Sequence, residues 1–289
     1  MPPLIDVETL AARLHDPAVR IVDARFALAD PEAGRRAYAE AHLPGAVYLH
    51  LDEDLSGPLR DDRVGGRHPL PDPAAFAARL GALGIGDAHE VVAYDDAGGA
   101  FAARVWWLLH WIGRPAVRVL DGGLPAWRAA GHPLTADPPP AAAPAPSTAT
   151  PNPALLASRD AVRAAMTEAS TWLVDARAPE RYRGEVEPID PVAGHVPGAA
   201  NRPFAGNLDD DGRFRSAEAL AARYAPLAEA RDGIFYCGSG VTGAHDVLAA
   251  VVAGYPMPRL YAGSWSDWTS QADAPVATGP EDTDDAPRA

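Results

Sequence analysis

The chain has 289 residues, a formal net charge of −14 and a single cysteine, Cys237. One thiol excludes an intramolecular disulfide and a multi-cysteine zinc site, and the acidic balance argues against nucleic acid as a partner. The N-terminus lacks the basic start and apolar core of a secretory signal, and the longest apolar stretch, residues 105–112, is broken by His110 and too short to span a bilayer; a cytoplasmic location with no membrane partner is expected.

In chain order, the first half alternates short apolar runs with longer periodic ones. Residues 20–24 (RIVDA), 90–94 (EVVAY) and 117–121 (VRVLD) read as buried strands. Residues 74–84 (AAFAARLGALG) and 102–113 (AARVWWLLHWIG) carry apolar side chains at helical spacing, with Trp106, Trp107 and Trp111 expected in the core. Strands alternating with helices predict an α/β fold, a parallel sheet with helices on both faces. Residues 136–153 (ADPPPAAAPAPSTATPNP) have no apolar periodicity and much proline, the composition of a semi-rigid extended linker.

Past the linker the pattern returns. IVDAR at 21–25 recurs as LVDAR at 173–177, AHLPGA at 41–46 as GHVPGA at 194–199, VVAYDD at 91–96 as GIFYCG at 233–238, and VLDGGLPAW at 119–127 as LYAGSWSDW at 260–268. Preserved order and near-constant spacing mean a duplicated domain. The expected organisation is an N-terminal domain over 1–135, the linker over 136–153, a C-terminal domain over 154–272 and an acidic, disordered tail over 273–289. His42 and His195 precede the Pro-Gly of both copies, which points to a structural job such as holding a turn.

The second copy of the VVAY strand ends at Tyr236, so Cys237 is the first residue past the carboxyl end of a strand, where ligands bind in such sheets. The loop CGSGVTG, with Gly238, Ser239, Gly240, Val241, Thr242 and Gly243, lets backbone N–H groups converge on one point, and a helix beginning near Thr242 turns its positive end to the same place. That setting lowers a thiol pKa below its reference of ~8.5 and favours thiolate. An isolated cysteine would be read as a buried small hydrophobe; the strand, glycine and helix context favours a nucleophile.

VDAR, GHVPGA, a strand ending in CGSGVT and a G-S-W-x-x-W segment together resemble the two-domain rhodanese family, over nearly the whole chain outside linker and tail, and CGSGVT resembles its 3-mercaptopyruvate sulfurtransferases. The resemblance implies two tandem rhodanese-like domains, a catalytically silent N-terminal copy and a C-terminal cysteine that becomes a persulfide. Asp95 stands where Cys237 would be in the first copy; a carboxylate cannot accept sulfane sulfur, and its charge would repel an anionic donor. The family implies Arg181 as the group binding the substrate carboxylate, with Arg183 as its alternative. A second family arginine is missing, since Pro188, Ile189 and Asp190 occupy the following loop, and Arg202 is a candidate substitute. An Asp52, His68 and Ser239 relay is likewise implied, a carboxylate orienting imidazole and imidazole polarising a hydroxyl beside the cysteine. It would give the silent N-terminal domain a reason to persist.

The sulfur donor is then a small molecule, 3-mercaptopyruvate, and the acceptor is cyanide, a small thiol or thioredoxin. Thiosulfate-preferring members carry basic side chains after the cysteine where this chain has Gly238 and Ser239, which favours the monocarboxylate donor, thiosulfate being the alternative. A phosphatase of the C-x5-R type would need an arginine where Gly243 stands, and a non-catalytic persulfide carrier would lack the donor-binding arginine and relay. No phosphate loop, dinucleotide fingerprint or metal-ligand cluster is evident, so neither cofactor nor metal is expected.

Overall fold

The computed structural model describes residues 1–140 and 143–280. It divides into two compact units. The first comprises Met1–Pro58, Pro71–Asn152 and Asp209–Phe214; the second comprises Leu59–Leu70, Pro153–Leu208 and the chain from Arg215 to the end of the described residues. The expected N-terminal domain over 1–135 is therefore interrupted, because residues 59–70, His68 among them, belong to the second unit.

In the first unit, β1 (Leu4–Ile5), α1 (Val7–Ala11), β2 (Val19–Asp23), α2 (Ala33–Glu40), β3 (Val47–Tyr48), α3 (Pro73–Ala82), β4 (Glu90–Tyr94), α4 (Ala102–Trp111), β5 (Val117–Leu120) and α5 (Gly123–Ala129) follow in order. The strands form a parallel sheet of order β1-β5-β4-β2-β3, in which β2 and β4 pair from Val19 opposite Glu90 to Asp23 opposite Tyr94. Successive side chains of a strand point to opposite faces, and residues 91–94 of β4 are all buried, so both faces are covered. Val92, Tyr94, Leu124 and Trp127 share one core cluster with Leu10 and Leu43. Trp106, Trp107 and Trp111 of α4 are buried, as their spacing predicts. Pro73 opens α3 and the Asp72 carboxylate caps it, accepting from the Ala75 N–H at 2.8 Å.

The second unit runs α6 (Arg159–Ala165), β6 (Thr171–Asp175), α7 (Pro179–Tyr182), β7 (Ala200–Asn201), α8 (Ala217–Arg223), β8 (Asp232–Tyr236), α9 (Thr242–Val252), β9 (Arg259–Leu260) and α10 (Ser264–Trp268). Its parallel sheet has order β7-β6-β8-β9, with β6 and β8 in register from Thr171 opposite Asp232 to Asp175 opposite Tyr236. Leu173, Ile234, Tyr236, Trp265 and Trp268 form its core with Val162 and Val196.

The duplicated motifs are duplicated scaffolding. Arg25 pairs with Asp23 at 2.6 Å and donates to the Ala41 carbonyl at 2.8 Å; Arg177 pairs with Asp175 at 2.5 Å and donates to the Gly194 carbonyl at 2.7 Å. The His42 ring meets the Tyr38 carbonyl at 2.7 Å and stacks on that tyrosine, and His195 repeats both contacts with Tyr182. These histidines hold chain crossings together, which fits the structural role read from their repetition.

Two low-complexity segments are more ordered than their composition implies. Residues 143–152 of the linker form no helix or strand but are tied down: the N–H groups of Ala145, Thr150 and Asn152 donate to the carbonyls of Gly81, Ile112 and Trp111 at 2.9, 2.9 and 2.7 Å. Those carbonyls lie at the C-terminal ends of α3 and α4, where no intrahelical donor is left for them. The tail, expected to be disordered from residue 273, is packed as far as residue 280. Trp268 Nε1 donates to the Pro275 carbonyl at 2.9 Å, Ala277 pairs with His195, and the Gly279 N–H reaches the Arg183 carbonyl at 2.8 Å. The first unit does the same with Trp127 and Pro133, and with His42 and Thr135. Residues 273–280 (DAPVATGP) thus continue the repeat against 131–138 (GHPLTADP). Residues 281–289 of that expected tail, like 141 and 142 of the linker, lie outside the described residues. Among the described residues no helix is long and apolar enough to cross a membrane.

Candidate active site

Cys237 follows β8 directly and is 1% exposed. Its loop hangs from α10: the Cys237 N–H donates to Ser264 Oγ at 3.0 Å, its carbonyl accepts from the Trp265 N–H at 2.9 Å, and the Gly238 carbonyl accepts from the Ser266 N–H at 3.0 Å. Ser264 adopts a positive φ of 55°, a conformation that costs a non-glycine residue energy and that here sets its hydroxyl between Cys237 and the Tyr261 carbonyl. With the loop so held, the N–H groups of Gly240 and Ser239 lie 3.1 and 3.5 Å from Cys237 Sγ. Gly240 is required twice over, by its φ of 78° and because a Cβ there would lie 2.3 Å from the Ala262 carbonyl oxygen. Val241, Thr242 and Gly243 then lead into α9, whose first N–H groups have no partner within the helix.

Ser239 and His68 meet at 2.7 Å, Oγ to Nδ1, and both are buried. The loop thus brings together Cys237, Ser239 and His68, all in the second unit. Asp52 belongs to the first unit, is exposed, and donates its backbone N–H to His50 Nδ1 at 3.2 Å.

Arg181, at the end of α7, binds Glu187 at 2.7 Å and Asp190 at 3.4 Å. Burial disfavours the Glu187 carboxylate, but the hydrogen bonds from Arg181 and the Asp190 N–H outweigh it and hold this carboxyl below its ordinary value. Arg183 is not part of this group; it chelates Glu185 at 2.7 and 2.9 Å. Nor is Arg202, whose guanidinium lies over the Trp172 ring and donates to the carbonyls of Arg223 and Asn201. The guanidinium the sequence reading missed is Arg67. It binds Asp190 at 2.5 Å, and a Cβ built at Gly238 would lie 2.7 Å from Arg67 Nη2 and 3.6 Å from both terminal nitrogens of Arg181. Its signal was adjacency to His68 in GGRHPLPD, where only the histidine stood out.

The corresponding loop of the first unit is built around a different anion. Asp95 is fully buried, and its two carboxylate oxygens accept four backbone N–H groups, from Ala97 and Gly99 at 2.8 and 2.9 Å and from Phe101 and Ala102 at 2.8 Å each. Burial pushes this carboxyl up while the four donors pull it back. The Asp95 carboxylate itself thus fills the nest, a resident anion at the position where the second copy has its thiol.

The structure also brings Glu32, His50 and Glu53 of the first unit within 4.8 Å of one another, a grouping not evident in the sequence. Both nitrogens of His50 are engaged, Nδ1 by the N–H groups of Asp52 and Glu53 and Nε2 by the Pro31 carbonyl, while Arg35 binds both glutamates. This donor set suits a hydrogen-bonded ion cluster rather than a metal centre.

The family described as Rhodanese-like domain matches residues 6–130 and again 158–271. A "Probable 3-mercaptopyruvate sulfurtransferase" of Pseudomonas aeruginosa is 50% identical over 96% of this chain and 98% of its own length. The "Thiosulfate sulfurtransferase" of Bos taurus is 35% identical over 92% of this chain and 90% of its own. Among solved structures, SseA from Escherichia coli, described with the 3-mercaptopyruvate sulfotransferases, matches with a TM-score of 0.80 at 29% identity, covering 92% of this chain and all of that one. Two sheets of the same parallel build, a family match in each half and relatives aligned end to end lead to one conclusion: the chain belongs to the rhodanese-like family and carries the domain in two tandem copies.

Proposed function

We propose that the protein is a sulfurtransferase that takes sulfane sulfur from 3-mercaptopyruvate and holds it as a Cys237 persulfide. The observation that carries this reading is a buried thiol with two backbone N–H groups 3.1 and 3.5 Å from its sulfur, in a loop whose Ser239 hydroxyl lies 2.7 Å from His68 Nδ1. Relatives named as 3-mercaptopyruvate and thiosulfate sulfurtransferases support the reaction class.

In the proposed reaction the Cys237 thiolate attacks the donor sulfur, an S–S bond forms, and the C–S bond breaks with its electron pair left on the pyruvate enolate. The proton of the donor thiol ends on the pyruvate methyl carbon, moved through Ser239 and His68. The loop N–H groups stabilise the negative charge of the persulfide, as donors do in an oxyanion hole. An acceptor nucleophile then removes the outer sulfur: cyanide leaves as thiocyanate, and a small thiol or thioredoxin leaves as its persulfide.

Steady-state assays of the unmodified protein and Cys237→Ser, with 3-mercaptopyruvate or thiosulfate as donor and cyanide as acceptor, test this. The expected result is preference for 3-mercaptopyruvate, no turnover by the variant, and, after donor alone, a mass increase of one sulfur atom at Cys237. Preference for thiosulfate would keep the nucleophile and refute the donor. No turnover with either donor would refute the enzyme reading and favour a persulfide carrier.

A further inference from the structure

We propose that Arg67 supplies the second anion-binding guanidinium of the Cys237 site, and that Asp190, shared between Arg67 and Arg181, limits the positive charge there to what a monocarboxylate donor needs. The proposal rests on the donor reading above and adds to it the residues that set the preference.

Three observations meet at Gly238. A Cβ at that glycine would touch Arg67 Nη2 at 2.7 Å and approach Arg181 Nη1 and Nη2 at 3.6 Å, so both guanidinium groups lie beside the residue that follows the nucleophile. Arg67 and Arg181 arrive from segments far apart in sequence and are joined through one buried carboxylate, Asp190 Oδ1 taking Arg67 at 2.5 Å and Oδ2 taking Arg181 at 3.4 Å. Finally, Arg67 Nε is buried with no hydrogen-bond partner among the described residues. A buried N–H of a cation left without an acceptor is costly, and an incoming carboxylate offers one.

Charge explains the selectivity. Arg181 is already engaged by Glu187 and Asp190, and Arg67 by Asp190, so two guanidinium groups face two carboxylates before any ligand arrives. A monoanion can take the remaining N–H groups at modest electrostatic cost, whereas a dianion such as thiosulfate brings a second charge against Asp190 and Glu187. The loop of thiosulfate-preferring relatives, expected to carry basic side chains after the cysteine, could not be grafted here without displacing Arg67, because that guanidinium occupies the space a side chain at position 238 would need.

The test uses the full chain. Pyruvate is titrated calorimetrically into Cys237→Ser alone and combined with Arg67→Gln or Asp190→Asn, and KM and kcat for 3-mercaptopyruvate and for thiosulfate are measured for the unmodified protein and for the two variants with Cys237 intact. Loss of a charge-assisted hydrogen bond predicts that Arg67→Gln weakens pyruvate and raises KM about tenfold while kcat changes less. Asp190→Asn should act in the opposite direction, tightening pyruvate and lowering KM for thiosulfate, because it removes a negative charge from beside both guanidinium groups while Glu187 still holds Arg181. A merely structural Arg67–Asp190 link would weaken binding in both variants, and that result overturns the proposal, as does an unchanged pyruvate affinity in Arg67→Gln. If the unmodified protein turns over thiosulfate but not 3-mercaptopyruvate, the donor reading fails on its own; the role of Arg67 is then read from KM for thiosulfate in Arg67→Gln, and an unchanged value overturns it.

Discussion

Asp95→Asn is nearly isosteric, yet it should destabilise the first unit substantially. Each Asp95 oxygen accepts two backbone N–H groups at 2.8 to 2.9 Å in a fully buried loop. An asparagine can present one oxygen to one pair; its amide nitrogen, itself a donor, then faces the other. Two hydrogen bonds to a charged acceptor are lost, about 1.5–3 kcal/mol each. Part of that is returned, because a neutral amide is cheaper to bury than the carboxylate whose pKa burial pushes up. A net loss of about 3 kcal/mol remains, a large fraction of the roughly 5–15 kcal/mol that holds a domain together. With a urea m-value of about 1–3 kcal/mol/M, the midpoint of the transition that includes the first unit should fall by about 1–3 M. Hydrogen exchange localises the effect: the amides of Ala97, Gly99, Phe101 and Ala102 should lose protection ahead of β4. An unchanged or raised midpoint with those amides still protected would refute the view that Asp95 is the resident anion of its nest.

Three further outcomes are expected. Gly240→Ala places a Cβ 2.3 Å from the Ala262 carbonyl at a φ of 78°, so the loop must shift; kcat/KM should drop roughly 100-fold, and activity near that of the unmodified protein would contradict the loop's rigidity. Ser239→Ala removes the hydroxyl 2.7 Å from His68 Nδ1 and should lower kcat about 10²–10⁴-fold with little change in KM, while an equal rise in KM alone would assign Ser239 to binding. Asp246, buried on α9 against Asn207, has its carboxyl pushed up by burial to about 7 from 3.8. Between those pH values the folded protein keeps a proton that the unfolded chain has released, so this group's contribution to stability falls as pH rises and levels off above about 7. Asp246→Asn should therefore gain on the unmodified protein across that window, by up to about 4 kcal/mol if the full shift is realised; urea midpoints that differ equally at about pH 4 and about pH 8 would refute it.

Much of this was legible in the residues. The duplication, the alternation of strands with helices and the place of Cys237 at the end of β8 follow from local pattern, because period, glycine and strand length act over a few residues. Ser239 could be named for the same reason, lying two residues from the thiol. Residues 273–280 of the tail were misread because the proline and acidic content of the tail outweighed a repeat, DAPVATGP against GHPLTADP, that only the shared tryptophan, histidine and proline contacts make evident. What the composition of the linker could not convey is that the C-terminal ends of α3 and α4 supply carbonyls for its N–H groups.

The sequence by itself determined that there are two copies of one fold and that only one of them carries a thiol in its glycine loop. Tertiary structure decided what surrounds that thiol. Arg67 meets Asp190 across 123 residues and His68 meets Ser239 across 171, and pairings of that span leave no period or motif to read. Arginine in a polar loop is by default a solvated surface residue. It becomes part of a site only when folding sets it beside a buried carboxylate and a glycine with no side chain to keep it away.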